Sequence, residues 1–300
     1  MTPDARRSAA ALALALVLVL AWGTNFVVLK ALLVQLPPGA LLFFRYVVAA
    51  ACAVMLLLAV HRLRWPRLPF ADLLAIAGLA FLGHVLHVTM MLHGIRMSTP
   101  FSGALISACG PLFTLLILRA LGWHRFGGVQ LGGLALALAG VLLFLSDKLG
   151  GPAMHGAGDL VLLAATMMFS VYTVASRPML ARHGALTVTA YASLAASVPI
   201  LLLNWTEAAS VTWSTLSVAT WFMLLWSFIV ASFGGWLMWA WVNDVRGVAR
   251  SAPLLYLLPP IAGITAWLVL DESFGVVKLA GAALALAGVA AAQLQSRPLA

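Results

Sequence analysis

Apolar blocks of about 20 residues, separated by short polar breaks, run through this chain from end to end. A helix of that length crosses roughly 30 Å of hydrocarbon with its own backbone groups satisfied. A strand barrel does the same with alternating segments of about ten residues, and these blocks do not alternate. Only 8% of the 300 residues are charged and 64% are hydrophobic, against roughly 25% charged in soluble domains. The sequence describes an all-α polytopic membrane protein. Ten transmembrane helices are expected, at about 9–29, 39–60, 71–92, 99–120, 127–146, 158–178, 186–204, 217–241, 250–270 and 275–294.

The formal net charge is +9, which in another context points to nucleic acid or an anionic surface. Its placement excludes a nucleic-acid partner. With the N-terminus inside, Arg6, Arg7, Arg62, Arg64, Arg67, Arg119, Arg125, Arg177, Arg182, Arg246, Arg250 and Arg297 fall on the cytoplasmic side. Lys30, Arg96, Lys148 and Lys278 fall on the other side, and Arg45 lies within a span. Retention of positive loops then predicts cytoplasmic N- and C-termini in the inner membrane. The opening Ala/Leu/Val run exceeds a signal-peptide core of about 7–15 residues and lacks a small-residue cleavage site, so it reads as a retained first helix. Cys52 and Cys109 both lie within spans and read as packing residues rather than a disulfide pair.

The chain also repeats itself. "FGGVQLGGLALALAGV" from Phe126 aligns without a gap on "FGVVKLAGAALALAGV" from Phe274, and Pro111 meets Pro259 upstream. The front of each half follows, with "WGTNFVVLK" at Trp22 to Lys30 laid on "FSVYTVASR" at Phe169 to Arg177. Each half, 1–150 and 151–300, then holds five spans, an odd number, so the second copy enters the membrane from the opposite face. Inverted repeats of this kind enclose a central cavity in alternating-access transporters.

Four stretches carry a family resemblance: "WGTNFVVLKALLVQLPPGALLFFRY" (Trp22 to Tyr46), "SGALISACGPLFTLLILRALG" (Ser102 to Gly122), "LLYLLPPIAGITAWLVLDES" (Leu254 to Ser273) and the two "LALAGV" endings. They resemble the drug/metabolite transporter superfamily, in particular its ten-helix EamA-type exporters. The resemblance implies two five-helix halves around a central cavity and export of amino acids or related metabolites. One departure is visible: the second half keeps an acidic turn at Asp271-Glu272, where the first half reads Gly122-Trp123-His124-Arg125.

Ionisable groups within spans cost about 2.5–3.5 kcal/mol at mid-helix on insertion scales and face cavities or partners. Lys30 and Arg45 are candidates for a positive outer cavity, Arg45 holding a carboxylate or phosphate in two-pronged fashion and Lys30 adding a point charge. The competing readings are snorkelling for Lys30 and a bond to helix-end carbonyls for Arg45. Asn25 lies about 140° around the helix from Lys30 and reads first as an inter-helix hydrogen bond, with substrate contact as the sharper alternative. His84 and His87, one helical turn apart with Met91 continuing their face, read by default as satisfied packing, with proton coupling as the sharper alternative; a metal site lacks further ligands. Trp236 and Trp239, close to one face with Ser232 and Asn243, offer an aromatic wall for an apolar side chain or organic cation, with Ser170, Tyr172 and Tyr256 completing it. An interfacial aromatic belt is the alternative for the tryptophans.

Every Asp and Glu lies outside the expected spans or at their ends, so coupling falls to histidine or to the substrate's own charge. "GHVLH" lacks the carboxylate of a zinc-hydrolase helix, and no phosphate loop or dinucleotide fingerprint appears, which argues against an enzyme. No cofactor is expected. The expected function is a secondary transporter exporting amino acids or similar carboxylated metabolites, its partners being a small-molecule substrate and the lipid bilayer. The alternatives are export or flipping of a phosphorylated, cationic or lipid-like compound, a channel, or an intramembrane enzyme.

Overall fold

Prolines and small residues divide the apolar sequence into helices whose ends are legible in the chain. The structure, a computed structural model, describes residues 3–62, 65–122, 127–146, 153–247 and 251–293. The expected junction of the two halves at 150 and 151, and the turn residues Trp123, His124 and Arg125, lie outside them.

Helix α1 (Pro3–Gln35) runs about 50 Å at 1.5 Å per residue, well beyond the hydrocarbon thickness. Pro38 opens α2 (Pro38–Val60), its fixed φ suiting the first helical position. The third span joins α3 (Phe70–Ala80) and α4 (His87–Met97) through a π-helical segment, Phe81–Leu86. The fourth is α5 (Pro100–Ala108), capped by the Thr99 side chain accepting from the Ser102 amide, followed by α6 (Gly110–Ala120). Next come α7 (Gly128–Ser146), α8 (Ala153–Ala175), the short α9 (Arg177–His183) and α10 (Ala185–Ala209). At the eighth expected span, α11 (Val218–Leu225) passes through a second π-helical segment, Trp226–Gly234, into α12 (Gly235–Arg246). A 3₁₀ stretch, Ala252–Leu257, leads into α13 (Leu258–Leu270), and α14 (Val276–Gln293) follows.

Seven of the resulting rods are long and apolar enough to cross a membrane. The other three expected spans correspond to shorter apolar helices, Gly128–Phe144, Leu254–Leu270 and Val276–Ala292. Many large apolar side chains face outward, among them Leu202, Leu203, Val218, Trp267 and Val276. Water would not tolerate such a surface and lipid does, so the chain is a multi-pass membrane protein.

The helices pair reciprocally across the two halves. α4 packs on α8 as α12 packs on α1, α13 packs on α1 as α6 packs on α8, and α2 packs on α10. The repeated segments themselves, α7 and α14, share the most extensive interface. They run antiparallel. A Cβ on Gly133 would lie 2.5 Å from the Ala292 amide nitrogen and one on Gly281 would lie 2.5 Å from that of Phe144. Likewise a Cβ on Gly140 would lie 2.2 Å from the Ala285 amide, and one on Gly288 would lie 2.2 Å from that of Ala137. In the repeat alignment Gly133 corresponds to Gly281 and Gly140 to Gly288, so the contacts exchange between halves. Only glycine lets two backbones approach this closely.

The halves also break at matching points. Cys109 ends α5 at φ −79°, ψ −3°, and Leu257, its counterpart in the alignment, precedes α13 at φ −79°, ψ −13°. Each is followed two residues later by an aligned proline, Pro111 or Pro259. At the start of α14, Lys278 Nζ bonds Glu272 Oε1 at 3.1 Å and lies 5.3–6.0 Å from the ring centroids of Phe101, Phe144 and Phe274. The glutamate of the acidic turn is thus occupied in anchoring α14. Cys52 and Cys109 are free thiols.

Candidate substrate cavity

A cavity of about 80 Å³ lies among α1, α2, α4, α5, α8, the second π-helical segment, α12 and α13, enough for several waters. Helix α1 contributes Trp22, Asn25, Phe26 and Leu29. The spacing of three or four residues puts them on one face of the helix. Opposite stand Arg45, His87, Met91, Ser107, Thr166, Phe169 and Trp236. The second π-helical segment presents Ala231, whose carbonyl accepts from Trp22 Nε1 at 2.7 Å. The 3₁₀ stretch before α13 supplies Leu255, and the first residue of α13 supplies Leu258.

Arg45 is 5% exposed, and no described residue hydrogen-bonds to it or pairs with its charge. Among the described residues, the lining holds no carboxylate. A guanidinium in this position presents forked N–H donors to whatever anion enters. Asn25 is equally buried, with its side-chain oxygen unpartnered. The expected inter-helix hydrogen bond is therefore absent among the described residues, and Asn25 takes the alternative place on the cavity wall. His87 Nδ1 stands 2.9 Å from the Ala165 carbonyl. With the proton on Nδ1, the other ring nitrogen is left as an acceptor.

Other expected site residues go elsewhere. Lys30 does not line the cavity: its Nζ donates to the carbonyls of Ile95, Arg96 and Ser98 at 3.0, 3.0 and 2.6 Å, capping the end of α4. A cation at a helix C-terminus meets the negative end of the helix dipole, which explains the preference. Ser98 in turn donates to Asp159 at the start of α8. His84 lies behind the cavity, stacked on Trp236 with centroids 4.2 Å apart, and its backbone carbonyl accepts from Tyr46. His84, in the π-helical segment, and His87, at the start of α4, both meet the Trp236 ring, with centroids 4.2 and 6.1 Å away, but only His87 lines the cavity. Gly83, in the same turn, lets the Tyr172 ring lie against the backbone; a Cβ there would be 2.3 Å from that ring.

Tyr256 donates to the Val289 carbonyl on α14 and stands outside the cavity. The Ser170 hydroxyl lies 3.0 Å from the carbonyls of both Gly110 and Thr166 and shares its one proton between them, so it braces the break between α5 and α6. Tyr172 and Trp239 border a second, smaller pocket, and Trp236 borders both. Among the described residues no His, Cys, Asp and Glu cluster is arranged to hold a metal ion.

Trp22, Phe169, Ser107 and Thr166 line the cavity without having been expected there. The repeat held a signal for two of them. Trp22 and Phe169 occupy the same aligned position, and their rings meet edge to face at 6.2 Å.

Comparison with known proteins adds to this geometry. A solved crystal structure superposes at a TM-score of 0.69 and 20% identity, over 97% of this chain and 99% of the other, which shows a shared fold. The probable amino-acid metabolite efflux pump of Escherichia coli strain K12 is 26% identical over 284 residues, 92% of each chain. The probable terminal-alkyne amino-acid exporter of Streptantibioticus cattleyicolor is 31% identical over 188 residues, 63% of this chain and 62% of that one. The model of the EamA-like transporter family matches twice, at residues 9–146 and 156–292. The chain belongs to the EamA-like transporter family, whose members are transporters rather than enzymes.

Proposed function

We propose that the chain is a secondary transporter of the inner membrane that exports amino acids or closely related carboxylated metabolites by alternating access. The observation that carries the substrate class is Arg45, a buried cation on the cavity wall with no carboxylate beside it among the described lining residues. A carboxylate would bind its fork, while Trp22, Phe169 and Trp236 receive an apolar side chain and Asn25 and the His87 ring accept from an ammonium group. Two relatives carry amino-acid efflux or export in their names, which supports the same class.

Ten spans in two inverted halves, 1–150 and 151–300, give this transporter its two-sided access. The reciprocal helix pairing, the exchanged glycine contacts of α7 and α14 and the matched breaks at Cys109 and Leu257 support that reading. The arginine distribution supports cytoplasmic termini. His87 is the titratable group on the lining suited to proton coupling, Lys30 and Tyr256 have structural roles, and His84 and Trp239 support the aromatic wall.

The test is efflux of the twenty proteinogenic L-amino acids from vesicles holding purified protein, read by mass spectrometry with and without a pH gradient. Selective loss of a subset that Arg45→Ala reduces is the expected result. Loss of phosphorylated or cationic compounds instead, or transport indifferent to Arg45→Ala, would overturn the carboxylate reading.

A further inference from the structure

The second pocket holds buried polar groups that the cavity does not use. It lies between α8 and α12, bordered by Tyr172, Thr173, Ser176, Trp236, Trp239 and Asn243. Thr173, Trp239 and Asn243 are 6%, 3% and 8% exposed. The Thr173 hydroxyl, the Trp239 indole nitrogen and the Asn243 side-chain oxygen have no hydrogen-bond partner among the described residues. A single buried polar atom without a partner is costly and rare in a native fold. Three such atoms surround this one pocket, where an arriving group can partner them together.

The pocket measures about 10 Å³, at the threshold for one water. Trp236 forms a wall of both spaces. That ring is stacked on His84 at 4.2 Å and meets Tyr172 and Phe169 at 5.0 and 5.5 Å, so an aromatic cluster holds the partition in place. Aromatic rings turn as rigid plates about two torsions, and movement of one ring would join the two spaces.

We infer that this pocket is the contracted form of a second binding station, on the Arg246 side of the Trp236 partition, for the zwitterionic end of an amino acid. The inference rests on the amino-acid reading given above. The station offers an acceptor in Asn243, a donor in Trp239 and a hydroxyl in Thr173 that serves as either. Among the described residues, its lining carries no charged side chain. A net-neutral group with both donors and acceptors matches that set, whereas a lone carboxylate is served better by Arg45. Passage from one station to the other exchanges neutral hydrogen bonds for the guanidinium fork.

The experiment measures half-saturating concentrations from each face of the membrane, in oriented vesicles containing the full chain, with the twenty proteinogenic L-amino acids as the probe panel. Asn243→Leu and the nearly isosteric Thr173→Val should each raise the value from the Arg246 face about three- to tenfold, the loss of one neutral hydrogen bond. From the Gln35 face the value should stay within about twofold, and Asn243→Gln should restore most of the loss. Arg45→Ala should raise both values. Monodisperse protein with unchanged values, equal changes from both faces, or no rescue by glutamine would overturn the second station while leaving the exporter intact. Wild-type protein that moves no amino acid would overturn both readings together.

Discussion

Two cations in neighbouring expected spans, Lys30 and Arg45, are candidates for one field, and their surroundings separate them. Lys30 is held by carbonyls more than sixty positions away in the chain, and no local pattern reports such partners. Arg45 is buried without any among the described residues. Legibility ended at the type of residue: a polar group inside an apolar span announced a role, and only the packed neighbours decided which. Arg45→Ala should raise the half-saturating concentration for a carboxylated substrate about 10- to 100-fold, from the loss of a charge-assisted bond of about 1.5–3 kcal/mol. Arg45→Lys should recover part of it, since a point charge replaces the fork. Lys30→Met should instead lower thermal stability, by about 3 kcal/mol for the uncapped carbonyls, with substrate affinity unchanged in the folded fraction. A thermal melt in detergent beside a binding isotherm separates the two effects; an affinity loss in Lys30→Met at unchanged stability would return Lys30 to the cavity.

The helices were legible wherever an apolar block, a proline or a glycine marks an end, as at Pro38 and Pro100. The π-helical segments were not. Phe81–Leu86 and Trp226–Gly234 read as ordinary helix, because their extra backbone turn answers to tertiary contacts rather than to local propensity. They fall in the third and eighth of the expected spans, at positions that the sequence repeat brings into register. The glycines of α7 were legible only as composition. Their partners show which are required: Gly133 faces the Ala292 backbone, whereas a Cβ on adjacent Gly132 meets nothing within 4 Å. Gly133→Leu should therefore force α7 and α14 apart and lower the yield and melting temperature of the folded protein, while Gly132→Leu should be near neutral. Size-exclusion profiles and melts of the two variants check this, and equal behaviour would remove the close backbone contact from the account.

The molecule is tied across its halves at both ends. At the Arg246 end, Asp72 of α3 accepts from Arg182 Nη1 at 2.6 Å and meets His183 Nε2 at 2.7 Å, and Tyr191 donates to the Pro66 carbonyl. At the Gln35 end, the Gly39 amide donates to Glu207 Oε2 at 2.8 Å, and Ser98 reaches Asp159. These ties were not legible in sequence, since each joins residues that no alignment of the two repeated segments pairs. If the halves rock, the two sets hold opposite doors, and weakening one set should shift the population toward opening on its own side. Ser176, buried beside the second pocket, reports on the Arg246 side. In a background with Cys52 and Cys109 replaced, labelling of Ser176→Cys by a water-soluble maleimide should rise severalfold when Asp72→Asn is added. It should fall when Glu207→Gln is added instead, because loosening the far end draws the population away from opening at this one. Opposite signs from two substitutions at opposite ends require a single equilibrium linking them. A rise with both would mean local loosening at each end, and the rocking of the two halves about the cavity would have to be abandoned.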